Sequence, residues 1–330
     1  MECIKLGVVG TNFVSDWLCT AVSRTRGIKV SAIYSRSAIN GKKLAAKHGV
    51  PLVYVDYEDM LRSDIDAVYI ASPNYMHAPQ AIAALEAGKH VLCEKVMAAS
   101  YSQALRMRAA AKNTGLVLLE AMRPDFDPAT KVIKDNIHRV GRLRRAHLEY
   151  CQYSSRYDKF KAGEVENAFN PQICNSALAD IGVYPLHQAL FLFGKPNTVN
   201  ATSVLLDNGF EGMGHLSLGY DGMLCEVTYS KITHSATPSV IEGEEGSILY
   251  DRVNAPTEII FRSRTGAEEH IEFERVPENM VFEVAAFRDM INGSLSHDPY
   301  LAITMETVRI INEAHRTTGA IKYMDSELMK

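Results

Sequence analysis

The chain lacks any closely spaced pair of cysteines. Its six, Cys3, Cys19, Cys93, Cys151, Cys174 and Cys225, are scattered over 330 residues. That pattern argues against a zinc site or a disulfide framework; it predicts no metal centre and fits a reducing, cytoplasmic setting. Long apolar runs are missing too: none approaches the ~18 residues needed to span a bilayer. The first strand begins at Ile4, so no signal peptide is expected. Charge of one sign is absent. With 35 basic and 39 acidic residues the net charge is -4, which leaves no footprint for nucleic acid or an anionic membrane. No internal repeat or low-complexity segment is visible.

What is present suits a soluble two-domain protein. The hydrophobic fraction is 47% and the charged fraction 22%. The expected domains are residues 1–122 and 123–330. In the first, Ile4–Val9, Val30–Tyr34, Leu52–Val53, Ala67–Ile70, His90–Cys93 and Leu116–Leu119 read as strands. Helical stretches lie between them, over 16–24, 40–48, 78–87 and 100–114. Such alternation means a parallel, doubly wound Rossmann sheet whose strand ends share one edge. Ligands bind just beyond those ends.

The strand ends carry the chemistry. Gly10-Thr11-Asn12-Phe13-Val14-Ser15 follows the first strand. It keeps only the first glycine of the dinucleotide fingerprint, with Asn12 and Ser15 at the other two positions. Asn tolerates unusual backbone angles, so a pyrophosphate turn remains feasible. Ser35-Arg36-Ser37 follows the second strand; an arginine without an acid there favours NADP over NAD, though NAD is possible. Ser72-Pro73-Asn74-Tyr75-Met76-His77 follows the fourth, with a turn at Pro73-Asn74 and His77 opening a helix as a candidate cofactor contact. Glu94-Lys95 ends the fifth and aims an acid and an amine at the crevice.

Past Arg123 the pattern changes to an α+β domain with a mainly antiparallel open sheet. Asp221-Gly222 marks a hairpin between two β-type runs. Helices are expected over 281–292 and 303–317. In Ala177–His187, a helical reading puts Asp180, Tyr184 and His187 at i, i+4 and i+7 on one face. Their neighbours are apolar, so an acid, a phenol and an imidazole there need partners. His187 has the bland alternative of a satisfied core histidine. Arg123, Tyr153 and Asn170 are polar pocket candidates by chain order. An open sheet face would expose much apolar surface, so a homo-oligomer, most simply a homodimer, is expected.

Ser72-Pro73-Asn74-x-x-His77 and Glu94-Lys95, at this spacing from the glycine turn, resemble the Gfo/Idh/MocA (glucose–fructose oxidoreductase/inositol dehydrogenase) family. Glu120-Ala121-Met122-Arg123 with Phe126 and Pro128 is similar to its dimeric dihydrodiol dehydrogenase branch. Val96 stands where the family usually has a proline after a commonly cis peptide. The resemblance implies an NAD(P)-dependent oxidoreductase acting on a sugar, cyclic polyol or trans-dihydrodiol. It implies that Lys95 contacts both cofactor and substrate, with Asp180 and Tyr184 beside it. Gly10, Thr11, Asn12, Phe13, Val14, Ser35, Arg36, Ser72, Pro73, Asn74, His77, Glu94, Lys95 and Arg123 would hold the cofactor. Lys95, Tyr153, Asn170, Asp180, Tyr184 and His187 would meet the substrate. Either Tyr184 or Lys95 could carry the proton. A catalytically silent NADP-binding sensor is the alternative, favoured by the reduced glycine turn and disfavoured by intact Lys95, Asp180 and Tyr184. A scaffold acting through its sheet face is a third.

Overall fold

The computed structural model describes residues 3–320. The chain divides into two compact units, Met1–Arg123 with Pro277–Met305, and Pro124–Val276 with Glu306–Lys330. Residues 277–305 thus belong with the first unit, whereas a single boundary after residue 122 assigns them to the second.

The first unit begins β1 (Ile4–Val9), α1 (Phe13–Arg24), β2 (Ile28–Tyr34), α2 (Ala38–His48), β3 (Leu52–Tyr54) and α3 (Tyr57–Leu61). It continues β4 (Ala67–Ile70), α4 (Asn74–Glu86), β5 (His90–Cys93), α5 (Tyr101–Thr114) and β6 (Leu118–Glu120). All strand pairs are parallel and the order is β3-β2-β1-β4-β5-β6. The inner strands read as unbroken apolar runs because helices cover both faces; Ala67, Val68, Tyr69 and Ile70 are all fully buried. Strand order reverses between β1 and β4, the point where such sheets leave a crevice. Ser100 caps α5 by accepting from the Gln103 N–H, and Gly115 closes it in the left-handed region at φ 70°. Helix α4 starts at Asn74, four residues before the expected Ala78, because Pro79 inside it masks the earlier turn.

The second unit opens with α6 (Pro128–Asn136), β7 (Leu143–Cys151) and α7 (Tyr157–Lys161). A π-helical turn over Leu178–Gly182 runs into α8 (Val183–Phe193). Then come β8 (Thr198–Leu205), β9 (Glu211–Tyr220), β10 (Met223–Ser230), β11 (Ser239–Gly243), β12 (Gly246–Tyr250), β13 (Ile259–Ser263) and β14 (Glu268–His270). The sheet order is β14-β13-β12-β11-β7-β10-β9-β8, antiparallel except where β7 meets β10. Its inner face is apolar: Ala146, Leu148, Leu216, Leu218, Cys225, Val227 and Ile241 are fully buried. Val183, Leu186 and Ala189 of α8 are buried likewise.

The outer face corrects an expectation. It is not broadly apolar: Arg145 on β7 bonds Glu226 of β10 and Glu242 of β11, and His147 lies 3.2 Å from Glu149. Exposed apolar residues on the sheet include Val204, Leu205 and Leu224. A cross-strand charge ladder occupies the centre, so apolar exposure alone gives no reason for self-association.

After β14 the chain returns to the first unit as α9 (Met280–Ile291), followed by α10 (Asp298–Thr318). Packing of α9 against α1 explains the return: Arg24 pairs with Glu278, and Arg288 Nη1 donates to the Arg26 carbonyl at 2.8 Å.

Within the second unit a Cβ at Gly214 would lie 2.3 Å from Tyr229 Oη and 2.8 Å from the Thr202 carbonyl oxygen. Since the second contact is backbone, Gly214→Ala should cost ~1–3 kcal/mol, read as a lower urea midpoint with unchanged slope.

Candidate active site

The turn after β1 is built for close approach. Gly10 has φ +103°, and a Cβ there would lie 2.8 Å from the Ala71 carbonyl oxygen, just past β4. No other residue fits both conditions. Asn12, at the second glycine position, caps α1: its Oδ1 accepts from the Ser15 N–H at 3.0 Å and its Nδ2 donates to Ala71 O at 3.1 Å. The first N–H groups of α1 have no intrahelical acceptor and, with the helix dipole, suit an anion. Thr11 and Val14 are half-buried there, and Phe13 is exposed. This cradle at the β1/β4 switch point fits a dinucleotide pyrophosphate, which explains why losing two glycines does not abolish it.

Around the same edge, Ser35 follows β2; its Oγ accepts from the Ser37 N–H, and Ser37 caps α2. In those bonds the two hydroxyls act as acceptors and keep their own O–H donors, and Arg36 stands exposed between them. Ser72 bonds Gln80, and Pro73 and Asn74 form the start of α4. His77 is 1% exposed, with Nδ1 2.8 Å from the Val96 carbonyl and Nε2 2.8 Å from the Ser72 carbonyl. Burial lowers its pKa against the pull of those carbonyls. The imidazole therefore lies between two strand-end loops, each ring nitrogen facing a main-chain carbonyl.

Glu94 and Lys95 directly follow β5. Burial raises the Glu94 carboxyl above the ordinary range, against the Tyr69 hydroxyl that donates to it at 2.6 Å and the Lys95 charge. The Lys95 main-chain N–H donates to Glu94 Oε2 at 3.2 Å, and its side chain is half-buried. The Lys95–Val96 peptide is cis. Beyond it the loop is anchored by Glu120, which accepts from the Met97 N–H at 2.8 Å and from Thr304 Oγ1 at 2.9 Å. Arg123 closes the edge; its Nε is buried and has no acceptor among the described residues.

In the second unit, Asp180 sits in the π turn and Tyr184 one turn later in α8, its ring 5.8 Å from that of Tyr150. Both are half-buried. His187 does not share their exposure. It is fully buried, with Nε2 2.8 Å from Asp125 Oδ2 and Nδ1 3.3 Å from Thr307 Oγ1. The π turn ends at Gly182, so Tyr184 and His187 keep helical spacing within α8, but His187 turns into the core, the bland alternative its apolar neighbours allowed, while Tyr184 stays half-buried. Tyr153 donates to Asp158 and accepts from Lys161, while Asn170 caps the short turn after it. Their polar atoms serve local structure, and neither is assigned a part in binding.

The π turn is fixed from below by a buried polar cluster. Glu211 accepts from the Leu178 N–H, from Ser203 Oγ and from Tyr229 Oη, with His315 Nε2 3.6 Å away. Burial alone raises its pKa, but the His315 contact and the other donors outweigh that and hold the carboxyl below its ordinary value. Gly182 rests on the Tyr229 ring, where a Cβ would sit 2.6 Å from Cγ. One charged residue escaped sequence reasoning. Lys231, 4% exposed after β10, places Nζ 2.7 Å from Asp180 Oδ2. The only signal was a lysine directly after an apolar strand end, Tyr229-Ser230-Lys231.

Comparison with known proteins follows the same division. A family model described as an oxidoreductase family with an NAD-binding Rossmann fold matches residues 4–122, and the GFO/IDH/MocA C-terminal domain matches 131–249. The scyllo-inositol 2-dehydrogenase (NADP(+)) IolU of Bacillus subtilis is 39% identical, covering 96% of this chain and 98% of its own. A trans-1,2-dihydrobenzene-1,2-diol dehydrogenase of Macaca fascicularis is 25% identical over 96% of this chain and 97% of its own. A 3-ketoreductase from Actinomadura kijaniata, solved with NADP and TDP-benzene, shares the fold with a TM-score of 0.84 at 22% identity, covering 96% and 98%.

Two outcomes are expected. Gly10→Ala should weaken dinucleotide binding at least ~10-fold, read by fluorescence titration, because its methyl would push the turn off Ala71. Glu211→Gln should destabilise the protein by ~1–3 kcal/mol at neutral pH. The folded pKa of Glu211 lies below its ordinary 4.5. Its contribution is therefore full above that value and fades as pH falls through the folded pKa, so wild type and variant should converge in acid.

Proposed function

Because the chain belongs to the GFO/IDH/MocA oxidoreductase family, we propose that it is an NADP-dependent dehydrogenase or reductase acting on a secondary alcohol or its carbonyl in a sugar, cyclic polyol or trans-dihydrodiol. The observation that carries this reading is the carboxyl edge of the parallel sheet. A glycine-only turn stands at the switch point, and an acid–amine pair stands on a strand end of the same edge. The named activities of the inositol and dihydrodiol relatives support the substrate class.

The main chain of residues 10–14 would hold the pyrophosphate. Ser35 and Arg36 would take the ribose end, and Ser72, Pro73, Asn74, Glu94, Lys95 and Arg123 would line the rest. Arg36 is exposed and always charged, which suits a 2′-phosphate. When bound, the nicotinamide supplies the hydride acceptor or donor. The remaining chemistry falls to side chains. The Lys95 ammonium would polarise the substrate oxygen. Tyr184 would take or return the hydroxyl proton; a phenol titrates near ~10 and needs a neighbouring cation to work at neutral pH. Asp180 would accept hydrogen bonds from substrate hydroxyls.

A homodimer and a cytoplasmic location are part of the proposal. The cytoplasmic location draws support from six cysteines scattered through the sequence with no closely spaced pair. Sedimentation should give twice the 36.6 kDa chain mass, and a single-chain mass at micromolar concentration contradicts the dimer.

Incubating the protein with NADP and a polyol panel should raise absorbance at 340 nm; NADP binding without turnover across the panel would favour a sensor. Tyr184→Phe should lower turnover by ~10²-fold or more with little change in NADP affinity. Arg36→Ala should raise KM for NADP by at least ~10-fold and leave NAD nearly unaffected, since it removes a charged contact.

A further inference from the structure

Lys231 is a charged side chain that no part of the proposed chemistry uses, yet its placement is unusually determined. Its main-chain N–H donates to the Gly212 carbonyl at 2.9 Å, and its own carbonyl accepts from the Ser154 N–H at 2.9 Å. The strand end therefore cannot drift. The side chain runs inward and is 4% exposed. Nζ sits 2.7 Å from Asp180 Oδ2 and donates to the Ala168 carbonyl at 2.5 Å. The ring centroids of Phe169 and Phe210 lie 4.9 and 5.2 Å from it.

An ammonium buried this deeply is costly unless a counter-charge and acceptors meet it. Here a carboxylate and a carbonyl do so, and two aromatic faces favour the cation over the neutral amine. Asp180 differs from its partner: a third of its side chain is exposed. The lysine is thus hidden while the carboxylate it holds reaches the surface. The main chain on either side of Asp180 is fixed independently, by Glu211 at the Leu178 N–H and by Gly182 against the Tyr229 ring. Backbone and side chain of one aspartate are each pinned by a buried group.

We propose that Lys231 is a positioning residue for Asp180. It holds that carboxylate in one orientation, so that Asp180 serves as a fixed acceptor for substrate hydroxyls and does not carry the reaction proton. This rests on the reading that Asp180 acts on the substrate. A lysine that merely plugs the space beside Phe169 and Phe210 would support the fold without touching the reaction. The two roles differ in how Lys231 and Asp180 combine.

The test is a double-mutant cycle on kcat, using the full chain, NADP and the best polyol of the panel. Lys231→Met keeps the apolar stem and removes the charge. It should lower kcat by roughly 10–10²-fold through misplacement of Asp180, with NADP affinity within about twofold of wild type. In an Asp180→Asn background the same change should cost less than ~3-fold, because the group it acts through is gone. Equal losses in both backgrounds, or wild-type kcat in Lys231→Met, would overturn the proposal. Wild-type kcat in Asp180→Asn alone would instead remove Asp180 from the reaction, and with it the reading beneath. If Lys231→Met does not fold, Lys231→Arg and Lys231→Gln replace it. Arginine should recover part of the kcat that glutamine loses, and equal losses would count against the positioning role.

Discussion

At Gly10 the main chain passes so near the Ala71 carbonyl that a single methyl group would close the gap to 2.8 Å. This approach fixes the turn between β1 and α1 at the place where strand order reverses. The rest of the first unit arranges itself around it. Asn12 uses its amide to cap the helix and to hold the same carbonyl, substituting a side-chain bond for the flexibility of a second glycine. His77 then lies between the loop after β4 and the loop after Lys95, and Glu120 holds the latter from the other side. The amine is thus carried on a segment with few ways to move.

In the second unit the ordering principle is burial of charge in matched sets. Glu211, Tyr229, Ser203 and the Leu178 N–H form one set beneath the π turn, and Lys231 with Asp180 forms another. Polar groups buried at this density need full satisfaction, and in return they define one geometry. A π turn at this position is consistent with the tendency of such turns to occur at functional sites.

Much of this was legible in the sequence. The alternation of strands and helices, the apolar runs of β4 and β5 and the glycine closing α5 state the parallel sheet in local terms. Gly10 and Glu94-Lys95 could be placed because sheet topology puts strand ends on one edge. What could not be read depends on contacts made at a distance. The sequence leaves His77 open as a cofactor contact and His187 open between a substrate contact and a core histidine; the neighbours that surround them, Val96 for the first and Asp125 and Thr307 for the second, are brought in by the fold. Lys231 gave almost no local sign, since its meaning lies in Asp180, Ala168 and two phenylalanines brought in by the fold. The same holds for the outer sheet face, where alternation reveals which residues point outward but not that Arg145 bridges two glutamates. The stretch 277–305 returns to the first unit through pairings with α1 that no local pattern announces.

The central claim is that this chain moves a hydride between a secondary carbinol and a nicotinamide dinucleotide. The direct measurement is isotopic: a polyol carrying deuterium on its ring carbons is incubated with protein and NADP, and the reduced dinucleotide is examined by proton NMR. Deuterium at C4 of the nicotinamide, on one face, is the predicted result. Bound NADP that stays oxidised, with all the label still on the polyols tested, would contradict it.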